Sequence, residues 1–478
     1  MKKPLKNALI LASLVCFLAF PRFGYTNPSE LIDTLMVESA STDDLEFGFI
    51  LQDLKSGKVV YSKNAELLLN PASNTKVLTA LAALKLLGAD YTFKTQLFAL
   101  PNSEPSHLHA LTLKGYGDPS FNSVQLLAMI HQLKEKGIKK IDQLFVDGSY
   151  FDGETFPGQF DGRQKDAHFN CSVGALSIDH NLLEVIVSPE EKVGKEAIVE
   201  INPPLSLLSI NDKVVTGGKK GRVIVKNKSD EEGDLGISVL GSISPKSAPQ
   251  SFKLSIHQPA KLAALRFLQA LKDEGIQVPD HVDVGPAPFG SLPLIEANSP
   301  PLLAILQEMN KQSDNFIAEQ LTKYLGAKFG GSPGSTSKGT DVILKKLKEM
   351  GVNTQGANLE NGSGLSRLNR ISPHMLSEVL YKAYKDSKLQ ENFLSTLSIM
   401  GVDGTMRRKF RNSDIAGRFI GKTGTLNGVT SLSGYLYPLR SEDKQPSYIY
   451  AYIMNGKGKD FWKQKKLFQD ILELLLNT

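Results

Sequence analysis

The chain has 478 residues, of which 41% are hydrophobic, 8% aromatic and 22% charged, with 55 Lys+Arg against 50 Asp+Glu. These proportions suit a folded protein of roughly three domain-sized units and exclude a disordered one. No apolar run is long enough to span a bilayer comfortably.

The amino terminus reads as an export signal. Lys2, Lys3 and Lys6 precede an apolar stretch at 8–20, too short for a membrane span and suited to a signal-peptide core. Residues 1–26 are therefore expected to be absent from the mature protein, which would be exported and periplasmic. Without them Lys+Arg falls to 51 against 50 Asp+Glu, a net charge of about +1. Such a surface has no electrostatic preference for nucleic acid. Cys171 is then the sole cysteine and reads as a small, partly buried side chain.

Residues 46–64 form a predicted hairpin. Phe47, Phe49 and Leu51 alternate, Asp53-Leu54-Lys55-Ser56-Gly57 turns, and Val59, Val60 and Tyr61 return. A helix follows at 73–87, stopped by Gly88 and apolar almost all round, which marks a buried helix. From 91 the texture changes to short strands at 93–100, 109–114, 143–146, 184–188, 197–201, 222–226, 236–240 and 251–257, with helices at 126–136 and 260–274. Helices return at 302–310, 315–325, 341–350 and 373–386. Strands at 419–425, 431–437 and 447–455 and a helix at 461–476 close the chain. The last helix carries Phe468, Ile471, Leu472, Leu475 and Leu476 on one face, which suits covering a sheet better than lying on a membrane.

The two ends thus resemble each other in type and the middle does not. The expected architecture is an α/β (α+β) domain built from 27–90 and 295–478, an antiparallel sheet flanked by helices. The large β-rich insertion between them divides into one subdomain at 91–180 and 258–294 and a nested one at 181–257.

Three short sites carry chemistry: Ser73-Asn74-Thr75-Lys76, Ser313-Asp314-Asn315 and Lys422-Thr423-Gly424. Each pattern alone is weak. Ser-x-x-Lys recurs at Ser335 and Ser441, Ser-x-Asn at Ser62, Ser120 and Ser209, and Lys-Ser-Gly at Lys55. Context separates them, because only Ser73 opens a buried helix. Residues three apart share a helix face, so Lys76 is held beside Ser73 where water is scarce. Desolvation disfavours an ammonium, and a neutral lysine can act as general base toward a serine hydroxyl. Ser313 can relay a proton to a leaving nitrogen and Asn315 can bond a substrate amide, or the segment can be a plain helix N-cap. Lys422 and Thr423 can hold a carboxylate. Gly424 permits close approach of a bound peptide, and the Thr425 N–H can share an oxyanion with that of Ser73. The bland alternative is an edge lysine protecting a sheet. The eight histidines form no metal-ligand pattern, and no metal or cofactor is expected.

The set in this order resembles the low-molecular-mass class C penicillin-binding proteins, the D-Ala-D-Ala carboxypeptidase/endopeptidase group. The likeness extends to Asn70-Pro71-Ala72-Ser73, Gly117-Asp118-Pro119, Ala175-Leu176-Ser177 with Asn181, Gly362-Ser363-Gly364-Leu365-Ser366-Arg367 and Val402-Asp403-Gly404-Thr405. The separation of 237 residues between Lys76 and Ser313 matches that group's long insertion. The resemblance implies a Ser73 nucleophile with Lys76 as base, Ser313 and Lys422 in proton relay, and Asn315 and Thr423 positioning substrate. It implies peptidoglycan stem peptides as substrates and β-lactams as covalent inhibitors. It further implies an acidic residue reading the stem peptide's diamino acid, for which Asp161 is the best match. A serine β-lactamase and a non-catalytic β-lactam- or wall-binding protein are the rival readings.

Overall fold

In this computed structural model the described residues are 28–37, 45–156, 166–218 except 168 and 171, 221–229, 235–439 and 445–477. The signal segment, Asp161, Cys171 and Ser441 lie outside them.

Helix α1 (Pro28–Val37) precedes the predicted hairpin, strands β1 (Leu45–Asp53) and β2 (Val59–Lys63). Asp53 Oδ1 accepts from the Ser56 N–H (2.7 Å) and Gly57 takes a φ of 74°, which closes the turn. The buried helix is α2 (Thr75–Leu87). The inserted region contains β3 (Lys94–Pro101), β4 (His107–Gly115), α3 (Ser123–Glu135), β5 (Lys140–Asp147), β6 (Leu182–Ser188), β7 (Ile198–Asn202), β8 (Ser209–Thr216), β9 (Val223–Ser229), β10 (Leu235–Ile243), β11 (Gln250–Ser255), α4 (Pro259–Asp273), β12 (Asp283–Val284) and β13 (Leu292–Asn298). After it come α5 (Leu302–Gln312), α6 (Asn315–Gly330), α7 (Thr336–Glu349), α8 (Pro373–Lys385), α9 (Gln390–Thr396), β14 (Ser398–Ile399), β15 (Phe419–Leu426), β16 (Val429–Leu436), β17 (Tyr448–Gly456) and α10 (Gly458–Asn477).

The sheet that matters for the site has six antiparallel strands in the order β14-β15-β16-β17-β1-β2. Its first and last long strands in sequence are neighbours, paired from Leu45↔Gly456 to Asp53↔Tyr448. β1 is buried on both faces. Phe47, Phe49 and Leu51 join Tyr450, Tyr452 and the α10 residues Phe468, Ile471, Leu472, Leu475 and Leu476, whereas Ile50 joins the core around α2, α5, α6 and α8. The apolar face of α10 is thus spent on the sheet, with Phe468 stacked on Tyr452 at 4.4 Å and the Tyr450 hydroxyl donating to the Phe468 carbonyl (2.6 Å). No described helix is long and apolar enough to cross a membrane.

The inserted residues form a five-stranded sheet, β12-β5-β4-β3-β13, and two three-stranded sheets, β11-β6-β7 and β8-β10-β9, joined with α3 and α4 in one apolar cluster. Strand β8 escapes prediction because five of its eight side chains are polar and its apolar ones do not alternate; backbone pairing in parallel with β10 holds it. Helix α7 starts earlier than periodicity indicates. Ser335 caps it, and Gly339 lets it approach α6 so closely that a Cβ would sit 2.0 Å from the Thr322 carbonyl oxygen.

In the Gly117-Asp118-Pro119 loop the Asp118 carboxyl is buried, and its Oδ1 accepts from the Ser120 N–H and hydroxyl (2.8 and 2.7 Å). Burial outweighs those bonds and pushes the carboxyl up to about 6. The folded state therefore holds this proton more tightly than the unfolded chain. The stabilisation is full below the unfolded value of 3.8 and is lost as pH rises through about 6. Asp118→Asn keeps the acceptor and removes the titration. Thermal denaturation at pH 7.5 should show it more stable than the parent by about 1–3 kcal/mol, with the gain vanishing near pH 4.

Candidate active site

Ser73 lies in the short 3-10 turn Ala72–Asn74 that opens α2, not in the regular helix its sequence suggests. Ala72 has a left-handed φ of 48°, strained for a residue with a Cβ, and three asparagines hold it there. Asn70 Oδ1 accepts from the Ala72 N–H (2.9 Å), while Asn70 Nδ2 donates to the Ser366 carbonyl (2.9 Å). The Asn455 side chain on β17 exchanges bonds with the Asn70 backbone at 2.8 and 3.0 Å. Buried Asn74 donates to Ser431 Oγ (2.7 Å) and accepts from the Ser433 hydroxyl (2.6 Å) on β16. The Ser431 hydroxyl in turn donates to the Pro71 carbonyl (2.6 Å).

Lys76, one turn on, is completely buried. Its Nζ lies 3.2 Å from Ser73 Oγ, 2.7 Å from Asn315 Oδ1 and 2.7 Å from the Ser363 carbonyl oxygen. Asn315 Nδ2 donates to the Phe169 carbonyl (2.9 Å), which fixes its oxygen toward the amine. The two carbonyl oxygens can only accept. In its neutral form this amine can give its two hydrogens to these oxygens and turn its lone pair to the Ser73 hydroxyl.

Ser313 ends α5 in a left-handed conformation (φ 59°), and Asp314 caps α6 by accepting from the Ile317 N–H (2.9 Å). Capping and function are therefore both present: the cap is Asp314, and the residues on either side of it face the cleft. Buried Lys422 donates to Ser313 Oγ and to the Thr423 carbonyl, each at 2.9 Å. Burial first, and then the charge of Lys76, hold the Lys422 ammonium well below the usual lysine range.

Thr423, Gly424 and Thr425 follow on β15. Strand β14 pairs with β15 only at Ile420 and Gly421, and among the described residues no strand pairs with the edge beyond. An open edge can take an extended peptide as a further strand. A Cβ on Gly424 would fall 2.5 Å from the Pro71 carbonyl oxygen and 2.2 Å from Ser431 Oγ. The glycine is thus required by the chain's own Ser73 turn, a different close approach from the bound peptide its motif suggests. The Thr423 hydroxyl lies 2.8 Å from that of Thr405. The site thus brings Ser73, Lys76, Ser313, Asn315, Lys422 and the β15 edge together.

The duplicate motifs have other duties. Ser335 caps α7 by accepting from the Lys338 N–H (3.1 Å), and Lys338 Nζ donates to the Gly331 and Pro333 carbonyls at 2.8 Å. Ser62 and Ser209 sit on β2 and β8.

Sequence reasoning missed Glu319. It is fully buried one turn after Asn315 on α6, and its carboxyl accepts from the Ser363 N–H (2.8 Å) and the Gly362 N–H (3.4 Å). Burial pushes this carboxyl up; the Ser363 and Gly362 bonds and the charge of Lys76 oppose that. Ser363 thus bridges Glu319 through its N–H and Lys76 through its carbonyl. The available signal was the spacing Asn315-x-x-x-Glu319, one helix face carrying two polar groups into a core.

The six-stranded sheet between helical layers, with β sheets inserted after α2, defines a penicillin-binding fold. The chain belongs to the D-Ala-D-Ala carboxypeptidase 3 (S13) family, whose profile matches residues 31–474. It is similar to the D-alanyl-D-alanine carboxypeptidase of Actinomadura sp. (strain R39), 29% identical over 431 residues that cover 86% of this chain and 78% of that one. It is similar also to the D-alanyl-D-alanine carboxypeptidase DacB of Haemophilus influenzae, 28% identical over 464 residues, 95% of this chain and 94% of that one. The crystal structure of penicillin binding protein 4 (dacB) from Haemophilus influenzae superposes with a TM-score of 0.79 at 24% identity, covering 92% of this chain and 99% of that one.

Glu319→Gln keeps the shape but presents an NH₂ to one of two backbone donors and removes a carboxyl close to Lys76. Acylation by a labelled penicillin should slow about tenfold, equivalent to about 1.4 kcal/mol, while circular dichroism stays that of the parent. A rate within about twofold of the parent would leave the carboxyl without a part in holding Lys76.

Proposed function

We propose that this chain is an exported, penicillin-sensitive serine D,D-peptidase. It removes the terminal D-Ala from peptidoglycan stem peptides, or cuts the D,D cross-link between two of them, through an acyl-enzyme on Ser73. The observation that carries this reading is the buried Lys76 amine, held 3.2 Å from Ser73 Oγ by two carbonyl partners.

The substrate lies along the open edge of β15 with its scissile carbonyl between the N–H groups of Ser73 and Thr425. Lys76 takes the hydroxyl proton as Ser73 Oγ attacks. The C–N bond then breaks, and the departing nitrogen receives a proton from Ser313, relayed by Lys422. Thr423, with Lys422 behind it, holds the carboxylate next to that nitrogen, and Asn315 positions the donor peptide's amide. Water hydrolyses the ester. β-Lactams acylate Ser73 by the same route. Residues 27–90 and 295–478 make up the catalytic unit, 91–180 and 258–294 the first inserted subdomain and 181–257 the nested one. Asp161 is the candidate for reading the amine of the donor's diamino acid. Periplasmic location follows from the basic, apolar leader in the sequence.

Penicillin sensitivity, as against lactamase turnover, is favoured by the placement of Glu319. Both of its oxygens are engaged by backbone N–H groups, so it is poorly placed to activate a water against an ester. Labelled penicillin should give a long-lived adduct, and a defined pentapeptide muropeptide should lose one D-Ala by mass. Ser73→Ala should abolish both, by at least about 10³-fold in rate. Release of D-Ala by that variant would place the nucleophile elsewhere, and rapid penicillin turnover by the parent would make it a lactamase.

A further inference from the structure

A cavity opens beside the Thr423 end of the site. After β14 the chain makes a short 3-10 turn, Gly404–Met406, which Asp403 fastens from both sides. Asp403 Oδ1 accepts from the Ile399 N–H (2.7 Å) and its Oδ2 from Lys311 Nζ (2.6 Å). Gly404 has a φ of 56°, and a Cβ there would meet Ser398 Oγ at 2.2 Å and the Lys311 carbonyl oxygen at 2.8 Å. The turn is therefore clamped between the end of α5 and β14. It sets Thr405 against Thr423 and carries Arg407 and Arg408 on its far side.

Gln312, Gly404, Thr405, Arg407 and Arg408 line a cavity of about 260 Å³. Gln312 directly precedes Ser313, so the cavity begins where the proton relay ends. Both arginines are exposed, and among the described residues neither guanidinium has an ion-pair partner. Lys311, just before Gln312, is neutralised by Asp403. Two uncompensated guanidiniums at the rim of a polar cavity favour carboxylates, which they can bind in bidentate fashion.

Resting on the D,D-peptidase reading above, we infer that this cavity is the leaving-group subsite for the acidic acceptor stem peptide of a cross-linked substrate. Chemistry separates the two possible leaving groups. A monomeric stem releases D-alanine, with one amine and one carboxylate, and Thr423 and Lys422 already answer that carboxylate. A cross-link releases the side-chain amine of a whole second stem, whose additional carboxylates extend beyond Thr423. Arg407 and Arg408 stand where those groups pass. In either case the amide C–N bond breaks, the nitrogen gains the relayed proton and Ser73 keeps the acyl group. The arginines therefore act on which amide is chosen and not on how it is cut.

The test compares a cross-linked dimer with a monomeric pentapeptide muropeptide, products read by mass, for the parent and for the Arg407→Gln/Arg408→Gln double variant. The ratio of kcat/KM for dimer over monomer should fall at least about fivefold in the variant, mainly through KM, and Arg407→Lys/Arg408→Lys should recover most of it. For the parent, raising salt from about 0.05 to about 0.5 M should lower the same ratio. That measurement needs no variant to fold. A ratio within about twofold of the parent's in the double variant, equal losses on both substrates, or a salt-independent ratio would each overturn the assignment. A parent that cleaves neither substrate and takes up no labelled penicillin would instead overturn the D,D-peptidase reading on which it rests.

Discussion

The catalytic half of the molecule is organised around one amine. Lys76 Nζ has a partner in the turn that opens its own helix, one on α6 and one in the loop at Ser363, the last two more than 200 residues away from it in sequence. A lysine without exposure is tolerated only when hydrogen bonds replace its water, and here the replacement comes from parts of the chain that must fold together before it exists. The arrangement also limits what the amine can do. With two carbonyl oxygens holding it in place, the amine is kept within reach of the Ser73 hydroxyl. Lys422, fastened to Ser313, adds a second amine whose ammonium form is disfavoured by burial and then by the charge of the first. Two such groups in one dry cleft make proton transfer between neutral and charged amines inexpensive, which is the capacity an acyl transfer needs twice.

The shell around this amine is built from asparagines and serines, not from a conventional apolar core. Asn70, Asn74 and Asn455 hold Ala72 in a backbone conformation that it would not adopt alone, and Ser431 and Ser433 bind the Ser73 turn to β16. These bonds are short and mutually dependent, so the position of Ser73 is set by the sheet and not by the helix it opens. Strain at Ala72 and at Ser313 falls on the two turns that carry reactive hydroxyls, where a displaced backbone aims a side chain that a regular helix would turn away.

How much of this could be read from the sequence differed with the kind of interaction. The hairpin at 46–64, the helix ending at Gly88 and the closing strands were visible because their side chains alternate or recur with the period of the element. The three motifs were distinguishable from their duplicates because only Ser73 opens an apolar helix. Contacts made by polar residues across the fold left no periodic trace. Glu319 resembles any helical glutamate until α6 is seen to face the Ser363 loop, and strand β8 is polar enough to pass for a loop until β10 pairs with it. The 3-10 turn at Ser73 was hidden for the same reason, since the asparagine bonds that impose it come from elsewhere in the chain. The segment holding Asp161 lies outside the described residues.

The central pairing of β1 with β17 has a consequence for the order in which the molecule can assemble. β1 is complete at Asp53, yet the partner that fills the space between it and β16 ends at Gly456. The hairpin keeps one edge unsatisfied until nearly the whole polypeptide is available, while the strand pairings and apolar cluster of the inserted sheets fall within 94–298. The turn that carries Ser73, tied to β16 and β17, can take its final geometry only once the C-terminal strands have joined β1.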